Sequence, residues 1–138
     1  MSAIPVLIQT PNRGLAQITN GSGTTAQTLY TGGSNGSKVV GVVLTSTDTA
    51  AQTVQLGFVY SSTTYILGTV PVPAGAGTNG TTPAVNVLAP AFLPGLPLDS
   101  NGQSYFFLKN ASDSIAVVPL ATITSGKIIS AVAIAGDF

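Results

Sequence analysis

The sequence predicts an all-β protein, a two-sheet antiparallel β-sandwich of roughly eight strands. Residues that favour helices are scarce, because the 138-residue chain has no Glu and only four Lys and Arg together. No stretch shows the 3.6-residue apolar periodicity and the end caps of a helix. Short apolar runs recur instead between clusters of Gly, Asn, Asp and Pro, a spacing typical of sandwiches and barrels.

The first predicted element covers residues 3–9 and contains Pro5, which lacks an amide N–H and suits an edge strand. We therefore divide the chain into an extended N-terminal arm or edge strand over residues 1–20 and a sandwich domain over residues 21–138. The later predicted strands are residues 15–19, 25–31, 38–46, 52–61, 64–70, 84–88, 104–109, 115–123 and 128–135.

Two kinds of pattern support these strands. Val54, Leu56 and Phe58 occupy every second position, which is typical of a strand with one face in the core. Residues 39–44 form a continuous apolar run, and residues 128–135 mix Ile and Val with Ala and Ser. These two strands are predicted to be covered on both faces.

The connection between the two halves of the chain has an unusual composition. Residues 71–82 are rich in Gly, Pro and Thr and predict an exposed loop. Residues 82–99 hold four prolines among apolar side chains, so they cannot form a regular ladder throughout. We expect a rigid crossover that buries its apolar side chains against another surface.

Charge excludes several classes of partner. Four basic and four acidic residues give a formal net charge of zero. No basic patch can neutralise a row of phosphates, so neither nucleic acid nor an anionic membrane is an expected partner. No apolar run approaches the ~20 residues of a spanning helix. The first nine residues lack the charged and apolar regions of a signal peptide.

Catalysis lacks the usual side chains. Without His, Cys or Glu, we expect no catalytic residue, no cofactor and no metal site. Residues 75–80 match G-x-G-x-x-G, but no strand and helix flank them, so they predict a loop. Asp48, Asp99 and Asp113 lie in Ser/Thr/Asn turns, where an Asp normally accepts bonds from nearby backbone.

A neutral, apolar chain predicts a surface that is covered by other molecules, and hence a homo-oligomer. Two segments are candidate contacts. Their candidate interface residues are Ile4, Val6, Leu7 and Ile8 in the first, and Phe92, Leu93 and Leu96 in the second. The alternatives are that the first segment is an edge strand of its own sandwich and that the second is a crossover buried within one subunit.

Four segments resemble a known family: residues 30–41 (YTGGSNGSKVVG), 45–54 (TSTDTAAQTV), 93–97 (LPGLP) and 133–138 (AIAGDF). They are similar to the small β-sandwich decoration, or cement, proteins of tailed-bacteriophage capsids. The resemblance implies a jelly-roll-like sandwich, often trimeric, made in the host cytoplasm and bound to the major capsid protein at the outer face of the head. It implies a mechanical role without catalysis.

Two other functions stay open. One is a structural component of a phage tail, baseplate or fibre, which would use the same kind of surface. The other is a carbohydrate-binding module. Sugar rings stack on exposed aromatic side chains, and the chain has no Trp but offers Tyr30, Tyr60, Tyr65 and Tyr105.

Overall fold

The structure, a computed structural model, describes residues 7–138 and confirms the predicted all-β sandwich. Its elements are β1 (Thr10–Thr19), a 3-10 helix (Asn20–Ser22), β2 (Gln27–Thr31), β3 (Ser37–Ser46), β4 (Gln52–Tyr60), β5 (Thr63–Val72), β6 (Val85–Asn86), β7 (Phe106–Leu108), β8 (Asp113–Pro119) and β9 (Ile128–Asp137). All pairs between these strands are antiparallel.

The strands form two sheets. The five-stranded sheet has the order β1-β9-β3-β6, and β7 also pairs with β3; the four-stranded sheet has the order β2-β8-β4-β5. The chain changes sheet at each of the first three connections, and it returns to the five-stranded sheet for β6, β7 and finally β9. This alternation is a jelly-roll-like strand order, in which long-range pairing closes the sandwich.

The core lies between the sheets and is built from alternate residues. On β9, Ala131 and Ala133 are buried, while Val132 between them is only half-buried. On the opposite sheet, Leu56 and Ile115 are fully buried. Each such Leu or Ile contributes about 1.5–3 kcal/mol relative to leaving it exposed.

A glycine lets the two sheets meet at one edge. A Cβ on Gly14 of β1 would lie 2.0 Å from the carbonyl oxygen of Leu29 in β2. No side chain fits there, so β2 crosses β1 closely and closes that side of the sandwich. The sequence predicted no strand over residues 10–14, yet β1 begins at Thr10. Pro11 is tolerated because an edge strand needs partners on one side only.

The start of the chain bears on the predicted arm. Residues 1–6 lie outside the described residues. Residues 7–9 precede β1, and the amide N–H of Gln9 still donates to the carbonyl of Asp137 at 2.9 Å. The predicted arm or edge strand over residues 1–20 therefore includes an edge strand from Thr10 onward.

Asp48 fixes the loops at one end of the sandwich. Its carboxylate accepts bonds from the backbone N–H of Ala50 at 2.9 Å and of Thr124 at 3.0 Å. The Thr124 hydroxyl at 2.8 Å and the Gln52 amide at 2.9 Å complete the set. The β3–β4 turn is thus tied to the β8–β9 loop, which confirms the turn role predicted for this Asp.

Asp137 ties strands together at the other end. It accepts hydrogen bonds from the Tyr30 hydroxyl, from the Ser37 hydroxyl at 2.6 Å and from the Asn12 amide at 2.9 Å. These residues belong to β1, β2, β3 and β9, so one carboxylate joins both sheets.

Candidate assembly surface

The outer face of the five-stranded sheet is apolar. Leu15, Val132 and Val43 lie opposite one another on β1, β9 and β3, so their side chains share a face. Leu15 is 62% exposed. Because the neighbouring Ala131 is buried in the core, this row points away from it.

A second row extends this surface. Ile134 on β9 lies opposite Gly41 on β3 and is 50% exposed. A Cβ on Gly41 would lie 3.6 Å from the Ile134 side chain, so both residues are on the same face. We call Leu15, Gly41, Val43, Val132 and Ile134 the apolar face.

The apolar face has a polar border on two sides. Gln17, Ser130 and Thr45 form the next row, and Arg13 lies opposite Ile134 at the β1 edge. A shallow depression of about 400 Å³ runs between β1 and β9 along Leu15 and Val132. The centre of the face therefore carries neither a charge nor a side-chain hydrogen-bonding group.

An aromatic depression adjoins the apolar face. It has a volume of about 420 Å³ and is lined by Leu7, Ile8, Lys38, Phe107 and Phe138; we call it the aromatic notch. The Phe107 and Phe138 rings stack with centroids 6.2 Å apart. A Cβ on the neighbouring Gly136 would clash with Ile8, so this glycine makes room for the Ile8 side chain over β9.

A tyrosine supports the aromatic notch. The Tyr105 ring meets Phe107 edge-on at 5.5 Å between centroids. The Lys38 ammonium lies 4.4 Å from the centroid of the same Tyr105 ring. This cation–π contact positions the positive charge beside the apolar lining.

The outer face of the four-stranded sheet differs. It presents Thr53, Gln55 and Thr69, and the Gln55 amide donates to the Thr69 hydroxyl at 3.4 Å. Its exposed Ile66, at 46%, lies near the β4–β5 turn. Val118 on β8 lies opposite Gln55 on the same face, so this outer face mixes polar and apolar side chains, whereas the centre of the other outer face is apolar.

The structure places the predicted contact residues of the first segment in different surroundings. Ile4 and Val6 lie outside the described residues. Leu7 is 70% and Ile8 42% exposed, and both line the aromatic notch. Their role as contact residues stays a prediction.

The second predicted contact segment needs a correction. Leu93 is only 2% exposed and belongs to the core. Its side chain packs directly against Gly68, where a Cβ would clash with it. Phe92 and Leu96 are half-buried against the same core. Leu93 is therefore buried within its own subunit, whereas Pro94, Gly95 and residues 97–99 of the same crossover are exposed. The contact role of Phe92 and Leu96 stays a prediction.

The prediction that the strands over residues 39–44 and 128–135 are covered on both faces is wrong within a single copy of the chain. The alternation of Ala131, Ala133 and Ala135 with Val132 and Ile134 places the small residues inside and the large ones outside. This inverted pattern is the signal by which the sequence could have located the apolar face. Sequence reasoning missed its residues, together with Phe107.

Asp48 and Asp137 each accept several hydrogen bonds that set their pKa values. Burial raises the pKa of Asp48, but its hydrogen bonds from Ala50, Thr124 and Gln52 outweigh this effect and lower the pKa to about 2. Burial also raises the pKa of Asp137. The hydrogen bonds from Ser37, Tyr30 and Asn12 outweigh this effect, so the pKa of Asp137 is lowered.

Asp99 and Asp113 behave as predicted for turn residues. Asp99 accepts bonds from the backbone N–H groups of Asn101 at 2.9 Å and Gln103 at 3.0 Å, and Asp113 accepts one from Lys109 at 2.8 Å. Within residues 7–138, no group of three or more acidic, His or Cys side chains could hold a metal ion.

The tyrosines are spread over the molecule. Tyr30 is buried, and Tyr105 is half-buried below Lys38. Tyr60 and Tyr65 are 53% and 57% exposed beside the β4–β5 turn. Two of the four tyrosines are therefore available to stack on a sugar.

The solved structures to which this chain is similar include two viral particles. One likeness is to a chain of the cyanophage Pam1 capsid asymmetric unit, with a TM-score of 0.46 and 15% identity over 98% of this chain and 91% of that chain. Another is to the virus-like particle of giant freshwater prawn Macrobrachium rosenbergii extra small virus (XSV), with a TM-score of 0.35 and 12% identity over 100% of this chain and 86% of that chain. At these TM-scores neither likeness assigns a function.

The sequence matches no family model and no curated protein. Among the helices of the described residues, none has the length and apolar character needed to cross a membrane.

Proposed function

We propose that this chain is a non-catalytic structural protein of a virion, which binds and stabilises a bacteriophage capsid as a head decoration protein. The observation that carries the proposal is the apolar face, an uncharged outer sheet surface on a molecule whose core is already complete. Its partner is the major capsid protein or another virion protein, and the chain also associates with itself, with a trimer favoured.

The surface pattern supports docking on a partner. A soluble domain that worked alone would alternate apolar residues toward the core with polar residues toward water. Here β9 alternates Ala toward the core with Val132 and Ile134 toward the outside. Exposed apolar patches with a polar border mark sites of protein association.

The size of the face supports a role in an array. Three strands about 4.8 Å apart, with about 3.4 Å per residue over some three residues, give roughly 150 Å². A stable interface takes about 800 Å² from each partner. One face therefore supplies a weak contact, and many copies acting together supply a strong one through avidity.

Low charge suits the same role. Copies that sit side by side on a shell accumulate repulsion in proportion to their net charge. This chain has a formal net charge of zero, so a dense layer is not opposed by long-range repulsion. The proposed function requires no cofactor, since it consists of contacts alone.

Binding to capsids tests the proposal. Heads that lack the protein are mixed with the purified chain and sedimented, with Leu15→Asp as the test variant and Ile66→Asp as its control. Both residues are exposed apolar side chains on edge strands, but they lie on opposite sheets. A carboxylate buried without a partner is costly, so we expect Leu15→Asp to bind about tenfold or more weakly. Ile66→Asp should bind like the wild type.

Two outcomes contradict the proposal. Equal binding of both variants would remove the apolar face from the contact. Failure of the wild-type chain to bind heads at all would favour a tail, baseplate or fibre position. The mechanical role has its own check, because undecorated heads should then be less resistant to heat and osmotic shock than decorated ones.

A further inference from the structure

The crossover ends in an exposed apolar loop whose chemistry matches the aromatic notch. We propose that residues 94–99, the proline loop, dock into the aromatic notch of a second copy of the chain. This contact names the surfaces of the proposed self-association and does not depend on the virion role.

The loop presents a fixed apolar knob. Leu98 is 52% exposed although it forms a bridge with Ser104. The carbonyl of Pro97 accepts a bond from the N–H of Tyr105 at 3.1 Å, and the N–H of Asp99 donates to Gln103 at 2.9 Å. A small hairpin therefore holds Leu98 out toward water, and little entropy is lost when it docks.

Prolines add to this rigidity. Pro94 and Pro97 are both exposed, and their rings fix φ. Nothing lies within 4 Å of the position that a Cβ on Gly95 would occupy. The loop is thus exposed at Pro94, Gly95 and residues 97–99, while Leu96 packs against the core and Asp99 is the charged residue of the loop.

The notch is a suitable receptor. Phe107 is 53% exposed and stacks on Phe138, so flat aromatic surface faces solvent. Aromatic-lined grooves are recurring sites for proline-containing segments. Within residues 7–138, the proline loop does not line the notch of its own copy, so its docking there requires a second copy.

Charges complement each other across this contact. Oδ1 of Asp99 accepts two backbone N–H groups, and Oδ2 accepts no hydrogen bond from the rest of residues 7–138. The Lys38 ammonium stands at the notch over Tyr105. Docking of Leu98 therefore brings a free carboxylate oxygen of one copy toward the lysine of the other.

The placement of the two surfaces allows a closed assembly. The loop leads through Tyr105 directly into β7, which holds Phe107 at one edge of the five-stranded sheet. Loop and notch thus lie near the same edge, and a symmetry axis beside that edge engages both in every copy. Each copy then buries two surfaces rather than one, which brings the contact area nearer to that of a stable oligomer.

The mass of the full-length chain in solution tests the contact. Light scattering and sedimentation over a concentration series compare the wild type with Leu98→Asp and with Leu120→Asp as a matched control. The two leucines are 52% and 51% exposed. We expect the wild type to associate, Leu98→Asp to associate at least tenfold more weakly, and Leu120→Asp to match the wild type.

A second pair of variants tests the charges. Lys38→Glu should weaken association severalfold, because it places a carboxylate opposite Asp99, whereas Lys109→Glu on an exposed turn should not. Circular dichroism and melting curves check that each variant is folded. If Leu98→Asp does not fold, hydrogen exchange of the wild type takes its place, and residues 97–107 should become protected as the concentration rises.

Three results would overturn this inference: a wild type that stays monomeric at micromolar concentration, equal association of the two leucine variants, or assembly without protection of residues 97–107. None of them bears on the head-binding result for Leu15→Asp, so failure of the self-contact and failure of the virion role are distinguishable.

Discussion

Replacement of Asp48 by Asn should destabilise the fold strongly and in a pH-dependent way. The side chain is fully buried, and four donors from Ala50, Gln52 and Thr124 converge on its two oxygens. An Asn amide keeps one acceptor oxygen but replaces the other by a donor. Two of the four donors are then left without an acceptor.

The magnitude follows from two estimates of the same hydrogen bonds. A donor that loses its acceptor costs about 1–3 kcal/mol, so two of them cost roughly 2–6 kcal/mol. Because Ala50 and Thr124 are exposed residues, we expect the lower part of that range, about 2–4 kcal/mol. Lowering the pKa of Asp48 from 3.8 to about 2 corresponds to about 2 kcal/mol of stability, at ~1.36 kcal/mol per unit. This second contribution is present above pH 4 and is lost as the pH falls toward 2, because the folded-state pKa is the lower one.

Urea unfolding followed by circular dichroism measures both effects. At pH 7 we expect Asp48→Asn to be less stable by about 2–4 kcal/mol, and the gap to narrow by about 2 kcal/mol between pH 4 and pH 2. Asp99→Asn is the control, since its exposed carboxylate uses one oxygen that Asn retains. A gap in stability that is absent at pH 7, or that does not change with pH, would show that the Asp48 hydrogen bonds do not stabilise the fold as described.

Two further changes test the packing of the sheets. Gly14→Ala places a methyl group on the carbonyl oxygen of Leu29 and should lower the free energy of unfolding in urea by about 2–3 kcal/mol. Its control Gly41→Ala meets only ordinary contacts and should stay within about 0.5 kcal/mol of the wild type. Equal stability of the two variants would contradict the close approach of β1 and β2. Tyr30→Phe removes a hydrogen bond to Asp137 and should cost about 1.5–3 kcal/mol at pH 7. Burial and this bond raise the pKa of Tyr30 above 10.0, so the wild type should lose its advantage over Tyr30→Phe only as the pH rises past 10; an advantage that persists unchanged would count against the bond.

Much of the sandwich was predictable because its strands carry local signals. The alternation of Val54, Leu56 and Phe58 located β4 within one residue of its observed end. Turn chemistry located Asp48 and Asp99, whose side chains bond the backbone two residues on. In both cases the deciding interactions lie within a few residues along the chain.

Features set by distant contacts could not be predicted. The N-terminal half of β1 pairs with β9 more than a hundred residues away, and Pro11 gave no strand signal. The β4–β5 hairpin turns at Ser61 and Ser62, both with positive φ, where Asn-Gly is the favoured sequence. Here the pairing of the flanking strands sets a backbone conformation that the turn residues do not prefer.

The site was the least predictable part. Composition indicated a surface to be covered, but it did not show which side of β3 and β9 would remain open. The sequence analysis placed a contact on Leu93, which is buried in the core. It missed Leu15 and Ile134, which strand pairing leaves on the outer face of the five-stranded sheet. Which face of an apolar strand is open depends on the sheet opposite, and that is a property of the whole fold.

Electron cryo-microscopy of virions that contain this chain tests the central claim most directly. We expect copies of the sandwich on the outer surface of the head, with Leu15, Val132 and Ile134 against the capsid shell. Density for the sandwich in the tail or fibres, or on the head with the outer face of the four-stranded sheet against the shell, would contradict the decoration role.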